Sequence, residues 1–309
     1  MFRQINSEDI DWILSQTLLS DPVSVSDLDG GWDNSNKLLE FPDDSKFVLK
    51  AWFANEISEV ERVIQRHVHL QNHGIPTVVP VHLDNHGLLA EKDGFAWTLM
   101  PYIEGGFLGN DSISMGSLGE VLARMHSIPG ADCFPDEYRM GFSLFEKVIL
   151  LSKERGLSSA FLDILVKEAS TLKENLPLDL PHGILHGDVF PDNIIGSEGS
   201  VYAILDLEEA WIGPLSFDLV MAFVGFGWEG DMPIPSRWNS LIRGYQSVRS
   251  LSEEEISAIP LMHRYATLAI ACWRFWKHNI SAPDEELSGR YLEMVDRLTI
   301  EFDFSEGLE

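Results

Sequence analysis

Three oxygen-bearing side chains in this chain are spaced in a way that suits phosphoryl transfer. Asp188 is followed five residues later by Asn193, and Asp206 comes thirteen residues after that, directly behind the apolar run Val201–Leu205. Phosphoryl transfer crowds negative charge around one phosphorus atom, so divalent cations must neutralise it and a carboxylate must aim the attacking hydroxyl. Carboxylate and amide oxygens are hard ligands of the kind that Mg²⁺ prefers. These residue types therefore match the requirements of metal-dependent phosphoryl transfer.

The spacing is similar to that of the protein kinases, in which a catalytic-loop aspartate takes the proton of the hydroxyl and an asparagine and a second aspartate hold metal ions. Here the loop reads His186-Gly187-Asp188. With the later motifs PDN and Asp218-Leu219, this form resembles the aminoglycoside phosphotransferase and choline kinase superfamily. The resemblance implies Asp188 as catalytic base, Asn193 and Asp206 as metal ligands, and ATP and Mg²⁺ as cofactors.

The two remaining polar residues of this region have supporting roles by the same resemblance. His186 is expected to orient the catalytic loop, and Asp218 to brace the loop backbone around His186. A helix-capping role is the natural local interpretation of Asp218, which opens an apolar helix. Glu208 would share a face with Asp206 if the strand continued, which makes it a candidate for contact with a metal-bound water or the substrate.

Within the superfamily, the sequence resembles the homoserine kinases of the same fold. The resemblance rests on segments 186–195 with 203–210, 30–41 with 47–52, and 244–276. It implies an ATP- and Mg²⁺-dependent phosphotransferase that moves the γ-phosphoryl group to a hydroxyl of a small molecule, with homoserine as the leading acceptor. One departure is the acidic run at 206–209, where that branch is expected to have an aromatic residue after the metal aspartate.

Other functions remain open at the level of sequence. The acceptor could instead be choline or ethanolamine, an aminoglycoside or a sugar. A remoter alternative is a pseudokinase that binds nucleotide as a scaffold, although every ionisable group that the chemistry needs is present. A protein kinase is disfavoured because the Gly-rich signature and an Ala-Pro-Glu segment after Asp206 are both missing.

Lys50 is the predicted phosphate-binding lysine. It lies in the middle of the apolar run FVLKAW, where an ammonium without an anionic partner would be very costly to bury. Its position resembles the third-strand lysine of kinases, and the following helix offers carboxylates to steady it. Glu61 lies on the stripe of Ile57, Val60, Ile64 and Val68 and is predicted to point inward, with Glu59 as the runner-up.

Two further segments are predicted to contact the nucleotide. The resemblance places Gly31 and Ser35 in the loop that faces the phosphates through small side chains and backbone N–H groups. Met100, Tyr102 and Ile103 are predicted to form the hinge at the adenine. Pro101 has no N–H, so Tyr102 or Ile103 is the expected backbone partner.

The order of elements predicts an α+β, two-lobed, kinase-like fold. Residues 1–101 are predicted to form a small lobe with an antiparallel sheet and one helix, 102–106 a hinge, and 107–309 a mostly helical lobe. Predicted strands cover 23–28, 37–41, 47–52, 78–82, 88–90 and 95–100. A helix is predicted at 55–71, and the helices of the second lobe at 118–126, 144–152, 160–174, 217–226, 237–248, 261–277 and 285–302.

The late helices are expected to line the acceptor pocket. Arg243, Arg264 and Arg274 are all candidates to hold a substrate carboxylate through a bidentate pair, and the sequence does not choose among them. Pro260 directly precedes the predicted helix at 261–277, at a helix start where its missing N–H costs nothing.

Composition restricts the partners. The net charge is −27, from 22 basic and 49 acidic residues, so the chain should be repelled by nucleic acid and by anionic membrane surfaces. The expected partner is a small-molecule hydroxyl acceptor. The two cysteines, Cys133 and Cys272, are too few for a disulfide framework, and no apolar leader follows Arg3, so a cytoplasmic location is expected.

Overall fold

The computed structural model describes residues 4–28, 34–84 and 86–306. The chain divides into two units: Met1–Gly106 with Tyr202–Leu205, and Phe107–Val201 with Asp206–Glu309. The grouping of Tyr202–Leu205 with the first unit differs from the prediction, which assigned all of 107–309 to one lobe. The reason is hydrogen bonding, because the N–H of Ile204 donates to the carbonyl of Pro76 at 2.9 Å. The hinge at 102–106 stays a prediction.

The first unit is built on a five-stranded antiparallel sheet in the order β1-β2-β3-β5-β4. The N-terminal helix begins after Asn6, whose side chain forms a reciprocal capping box with Asp9. The second helix follows the third strand, as predicted. The elements are α1 (Ser7–Leu14), β1 (Ser24–Asp27), β2 (Ser35–Glu40), β3 (Lys46–Trp52), α2 (Ile57–Asn72), β4 (Ala90–Lys92) and β5 (Phe95–Pro101).

Alternation along β3 decides which side chains meet which helix. Leu49 and Ala51 point to one face, where they join a buried cluster with Trp97 and the apolar side of α1. Trp52 lies on the opposite face and packs with Val60 of α2. Lys50 is therefore on the α2 face of the sheet, although its strand reads as a continuous apolar run.

The second unit is mostly helical and holds three small β-structures. Its helices are α3 (Ser112–His126), α4 (Phe142–Glu154), α5 (Ala160–Asn175), α6 (Ser216–Phe226), α7 (Pro235–Gln246), α8 (Glu253–Phe275) and α9 (Leu292–Leu298). The strands are β6 (Gly106–Phe107), β7 (His182–Leu185), β8 (Ile194–Ser197), β9 (Ser200–Ile204), β10 (Trp211–Pro214), β11 (Trp228–Glu229) and β12 (Met232–Pro233), of which Gly106 and residues 202–204 group with the first unit. β7 pairs with β10, and α6 packs against α8.

Several predicted boundaries are wrong. Residues 78–82 contain no strand, since Pro80 interrupts the pattern and only Val81 donates to the sheet, at Leu99. α8 begins at Glu253, where a capping box fixes its start, so Pro260 lies inside the helix and not ahead of it. Of the predicted helix at 285–302, only α9 is regular. None of the described helices is long and apolar enough to cross a membrane.

Candidate active site

The loop between β7 and β8 brings Asp188 and Asn193 together. The Asn193 amide Nδ2 donates to the Asp188 carbonyl at 2.9 Å and to its carboxylate Oδ2 at 3.0 Å. The N–H of Phe190 donates to the same carbonyl at 2.9 Å, and residues Pro191–Asn193 form a 3₁₀ turn. Asn193 thus fixes the Asp188 carboxylate from the side, and its own amide oxygen is turned away from Asp188.

Asp218 holds the backbone of this loop. Its carboxylate accepts hydrogen bonds from the N–H of His186 at 2.6 Å and of Gly187 at 2.9 Å, and it is completely buried. His126 Nε2 lies 3.3 Å from the same carboxylate. The predicted bracing role is confirmed. The capping interpretation is wrong, because α6 begins at Ser216 and the Asp218 side chain points to the loop instead of the helix N-terminus.

Gly187 occupies a position that excludes every other residue. Its φ is +81°, and a Cβ atom there would lie 2.4 Å from the carbonyl oxygen of Glu209. The Tyr138 hydroxyl donates to the Gly187 carbonyl at 2.7 Å. A positive φ and a backbone contact together explain why glycine, and no larger residue, stands between His186 and Asp188.

Asp206 adopts a left-handed backbone conformation with φ 55° and ψ 69°. β9 ends at Ile204 and a 3₁₀ turn begins at Leu207, so Asp206 lies with Leu205 between the two elements. Its Oδ1 is buried and has no hydrogen-bond partner among the residues that the structure describes. A strained aspartate with an unused buried oxygen is typical of a functional position.

Glu209 is an acidic neighbour whose charge acts on Asp188. The prediction for Glu208 assumed a continuing strand, whereas Leu207–Glu209 forms a 3₁₀ turn that breaks the alternation. Glu209 forms an ion pair with Arg139, and its charge acts directly on Asp188. Sequence spacing gave no signal for Arg139, because it lies 70 residues before its partner.

Asp188 is only partly buried, yet the surroundings of its carboxylate disfavour the charged form. Burial raises the pKa of Asp188 to about 8, the charges of Glu209, Asp206 and Asp192 act in the same direction, and the hydrogen bond from Asn193 opposes them. A cation bound beside Asp206 would lower this pKa and favour the ionised base.

The donor set at this loop fits a hard divalent cation. The unused Oδ1 of Asp206 and the amide oxygen of Asn193 are the ligands that Mg²⁺ accepts. In the part of the chain that the structure describes, no three His, Cys, Asp or Glu side chains group into a self-sufficient metal site. Two protein ligands suit Mg²⁺, which keeps several waters and takes further oxygens from phosphates.

In the first unit, Lys50 and its expected partner are not arranged as predicted. The Lys50 ammonium lies 3.6 Å from the centre of the Trp52 ring. Glu61 is exposed, so the prediction that it points inward is wrong.

Glu59, the runner-up, is half-buried and pairs with Arg66 at 2.9 Å and Arg62 at 2.6 Å. The buried face of α2 carries Val60, Val63 and Arg66, so Glu61 lies on the solvent-facing side of the helix.

The predicted hinge and phosphate loop are only partly described. Gly31 lies outside the described residues, and Ser35 begins β2 opposite Ala51. Met100 is half-buried near the end of β5. The Tyr102 N–H donates to the Lys46 carbonyl at 3.0 Å, so it is already used within the sheet. Of the two predicted backbone partners for adenine, this leaves Ile103.

A short hydrogen-bond chain ties α2 to the strand that precedes Asp206. His67 Nδ1 lies 2.7 Å from the Thr77 hydroxyl, which donates to the Ile204 carbonyl at 2.8 Å. Since the hydroxyl proton goes to Ile204, His67 must be the donor to Thr77. The sequence carried no signal for this chain because 127 residues separate Thr77 from Ile204.

Thr77→Val is expected to lower the free energy of unfolding by about 1 kcal/mol, because it removes the hydroxyl and leaves the His67 donor and the Ile204 carbonyl without it. Thr77→Ser is the matched control, since it keeps the hydroxyl. Denaturant unfolding of both variants measures the difference. Equal stability of the valine and serine variants would show that the hydrogen-bond chain contributes nothing.

The arginines proposed for a substrate carboxylate mostly have structural partners. Arg264 pairs with Glu168 at 2.6 Å and also donates to a backbone carbonyl. Arg274 pairs with Glu293 at 2.7 Å. Arg243 is exposed on α7. Arg264 on α8 therefore has a structural role. Arg274 also has a carboxylate partner already, so the residues around Arg274 become the candidates instead.

Comparisons with known proteins agree with this geometry. A family model described as the phosphotransferase enzyme family matches residues 24–251. The homoserine kinase of Brucella anthropi is 28% identical over 89% of this chain and 86% of its own length. That of Chelativorans sp. is 25% identical over 93% of this chain and 90% of its own.

Two solved structures are similar to the whole chain. The amicoumacin kinase hAmiN in complex with AMP-PNP, Ca²⁺ and Ami has a TM-score of 0.73 at 13% identity and covers 97% of this chain and 96% of its own. A microcompartment-associated aminopropanol kinase has a TM-score of 0.71 at 15% identity, with 95% of each chain covered. At these identities the likeness shows the fold, and the predicted two-lobed α+β kinase-like architecture is confirmed.

Proposed function

Because the chain belongs to the phosphotransferase enzyme family, we propose that it transfers the γ-phosphoryl group of ATP to the side-chain hydroxyl of homoserine. The observation that carries this proposal is the Asp188 carboxylate, held by Asn193 on a loop whose backbone is fixed by a buried carboxylate. The choice of homoserine is supported by relatives of that name which align over most of this chain.

Asp188 is proposed to orient the acceptor hydroxyl and to accept its proton as the oxygen attacks the terminal phosphorus. A base in this role must be fixed, since misplacement by about 1 Å can cost 10²-fold in rate. Asn193 and the turn at 191–193 supply that rigidity, and Gly187 allows the sharp backbone path that presents Asp188.

Asn193 and Asp206 are proposed to hold Mg²⁺ through their oxygens. The bound cation would neutralise charge on the phosphates during transfer. Asp206 has the unused buried oxygen that this role requires. Asn193 has a second function, since its amide nitrogen positions Asp188, so one side chain serves both the base and the metal site.

Lys50 is proposed to hold the nucleotide phosphates, with Gly31 and Ser35 in the loop that covers them. Glu61 faces solvent and is not proposed again as the partner of Lys50. At the adenine, the Ile103 N–H and the apolar side chain of Met100 are the proposed contacts, because the Tyr102 N–H is engaged.

The acceptor is tested by a coupled ADP-release assay over homoserine, choline, ethanolamine, aminoglycosides and sugars, with Asp188→Asn as the blank. Homoserine should stimulate ADP release well above every other acceptor. A larger stimulation by choline or ethanolamine would replace homoserine by an amino alcohol. Slow ATP hydrolysis that no acceptor stimulates would instead favour a nucleotide-binding scaffold.

Metal dependence provides a second test. EDTA should abolish ADP release and Mg²⁺ should restore it. Loss of an outer-shell partner of a metal already costs about 10–100-fold in affinity, so Asp206→Asn should raise the half-saturating Mg²⁺ concentration at least about tenfold. Glu198→Gln, an exposed acid in the turn between β8 and β9, is the matched control. An unchanged Mg²⁺ requirement in Asp206→Asn would remove Asp206 from the metal site.

A further inference from the structure

Two buried hydrogen-bond donors lie together at the C-terminal end of the second unit without an acceptor. They are Nε of Arg297 and Nε1 of Trp228, and neither has a hydrogen-bond partner among the described residues. Both residues are 8% exposed, and the guanidinium carbon lies 4.8 Å from the centre of the Trp228 ring. Buried donors are nearly always satisfied, so neighbouring unused donors indicate a missing acceptor.

The remaining nitrogens of Arg297 fix the direction of its guanidinium. Nη1 donates to the Val224 carbonyl at 2.8 Å, and Nη2 pairs with Glu293. Arg274 pairs with the same carboxylate at 2.7 Å. Arg297 is therefore held from two sides, and among its nitrogens only Nε lacks a hydrogen-bond partner in the described residues.

The charges around this edge are mixed. Although burial alone would raise it, the hydrogen bond from Arg274 and the charges of Arg297 and Arg290 hold the pKa of Glu293 below its ordinary value. Asp231, in the exposed turn between β11 and β12, also acts on Arg297. Neither Glu293 nor Asp231 accepts a hydrogen bond from the two unused donors, so both donors still lack an acceptor group.

This pair of donors is connected to the loop that carries Asp188 through the C-terminal end of α6. Val224, which accepts from Arg297, is followed by Gly225, where a Cβ atom would lie 2.7 Å from the carbonyl oxygen of Val189. Val189 directly follows Asp188. One helix end thus connects Arg297 to the catalytic loop. Arg290 points to the same neighbourhood, because it interacts electrostatically with both Glu293 and Asp192.

A carboxylate is the acceptor that fits such a pair. It offers two oxygens to two N–H groups, and a charge-assisted hydrogen bond is about twice as strong as a neutral one. A hydroxyl oxygen can accept two hydrogen bonds but carries no charge, and a protonated amine accepts none. A cationic amino alcohol would gain nothing from Arg297.

We propose that Arg297 Nε and Trp228 Nε1 form the carboxylate subsite of the acceptor pocket, and that they select an α-amino acid over the corresponding amino alcohol. The inference rests on the proposed phosphotransferase function and names the feature that would make homoserine its acceptor. It replaces the earlier candidates Arg243, Arg264 and Arg274 as the arginines that contact this carboxylate.

The test compares L-homoserine with 3-aminopropan-1-ol, which has the same hydroxyl and amine but no carboxylate. Trp228→Phe removes one N–H and keeps an aromatic ring beneath Arg297. It should lower kcat/KM for homoserine about tenfold, mainly through KM, which is the loss expected for one hydrogen bond to a charged group. The ratio of kcat/KM for homoserine to that for 3-aminopropan-1-ol should fall by about the same factor.

Trp273→Phe is the matched control, a half-buried tryptophan of α8 outside the subsite, and it should leave that ratio as in the wild type. Arg297→Lys keeps the positive charge but removes Nε and should also reduce the ratio. Calorimetric binding of homoserine, with a non-hydrolysable ATP analogue present, gives a readout that does not depend on turnover. Trp228→Phe should weaken that binding about tenfold.

The outcomes separate the two proposals. If wild-type protein phosphorylates homoserine and Trp228→Phe leaves both the ratio and homoserine binding unchanged, the subsite is wrong and the proposed function stands. If wild-type protein prefers 3-aminopropan-1-ol, both the choice of homoserine and the subsite are wrong. If homoserine does not bind to the wild-type protein by calorimetry, the subsite is likewise refuted.

Discussion

Asp188→Asn is expected to lower kcat for the acceptor reaction by about 10²–10⁴-fold, the usual contribution of a positioned general base. The asparagine keeps the shape of the side chain but cannot accept the hydroxyl proton. Affinity for a non-hydrolysable ATP analogue should change by less than about threefold, since the interaction that is lost belongs to the transition state. Steady-state kinetics and calorimetry measure the two quantities separately.

Glu198→Gln is the control for this experiment, because it neutralises an exposed acid in the same segment of the chain. Its kcat should match that of the wild type. A kcat for Asp188→Asn within a few-fold of wild type would remove the base from the proposed mechanism. An equal loss of nucleotide affinity and kcat would instead give Asp188 a role in binding.

Asp218→Ala is expected to lower the free energy of unfolding by about 2–4 kcal/mol, because it leaves two buried backbone N–H groups without an acceptor. Those groups belong to His186 and Gly187, directly before the proposed base Asp188. The loop should therefore lose its fixed geometry as well, and kcat should fall even under conditions in which the variant is folded. Denaturant unfolding and kcat below the unfolding transition test both effects.

Asp111→Ala is the matched control. Asp111 also accepts from two backbone N–H groups, those of Ile113 and Ser114, but it does so at the exposed N-terminus of α3. Loss of this cap should cost about 1 kcal/mol and leave kcat unchanged. If Asp218→Ala were no more destabilising than Asp111→Ala, burial of the Asp218 carboxylate would add nothing to its contribution to the free energy of unfolding.

The sequence alone determined the local part of the candidate site. Asp188 and Asn193 are five residues apart in one turn, so their spacing already predicted that they lie close together, whereas the hydrogen bond between them was found only in the structure. The prediction that Asp218 braces the loop also held, although only the resemblance to a family suggested it. A sequence motif is enough to predict which residues lie close together when they are on one loop, or when a family resemblance identifies the segment.

The sequence was misleading where the exact rotation of an element decided the outcome. A helical stripe favoured Glu61, but α2 meets the sheet through Val60 and Val63 and so turns Glu61 outward. Strand alternation favoured Glu208 on the face of Asp206, but a 3₁₀ turn replaces the strand after Asp206. In both cases a shift by one or two residues reverses which side chain faces inward.

Only the tertiary structure decided which polar atoms remain unused. The sequence could offer Arg243, Arg264 and Arg274 as equal candidates, because nothing in it shows which guanidinium already has a partner. Folding assigns Arg264 to Glu168 and leaves the Nε of Arg297 beside the Nε1 of Trp228, from residues 69 positions apart. Spacing along the chain predicts local contacts, whereas the satisfaction of buried hydrogen bonds depends on every element that packs around them.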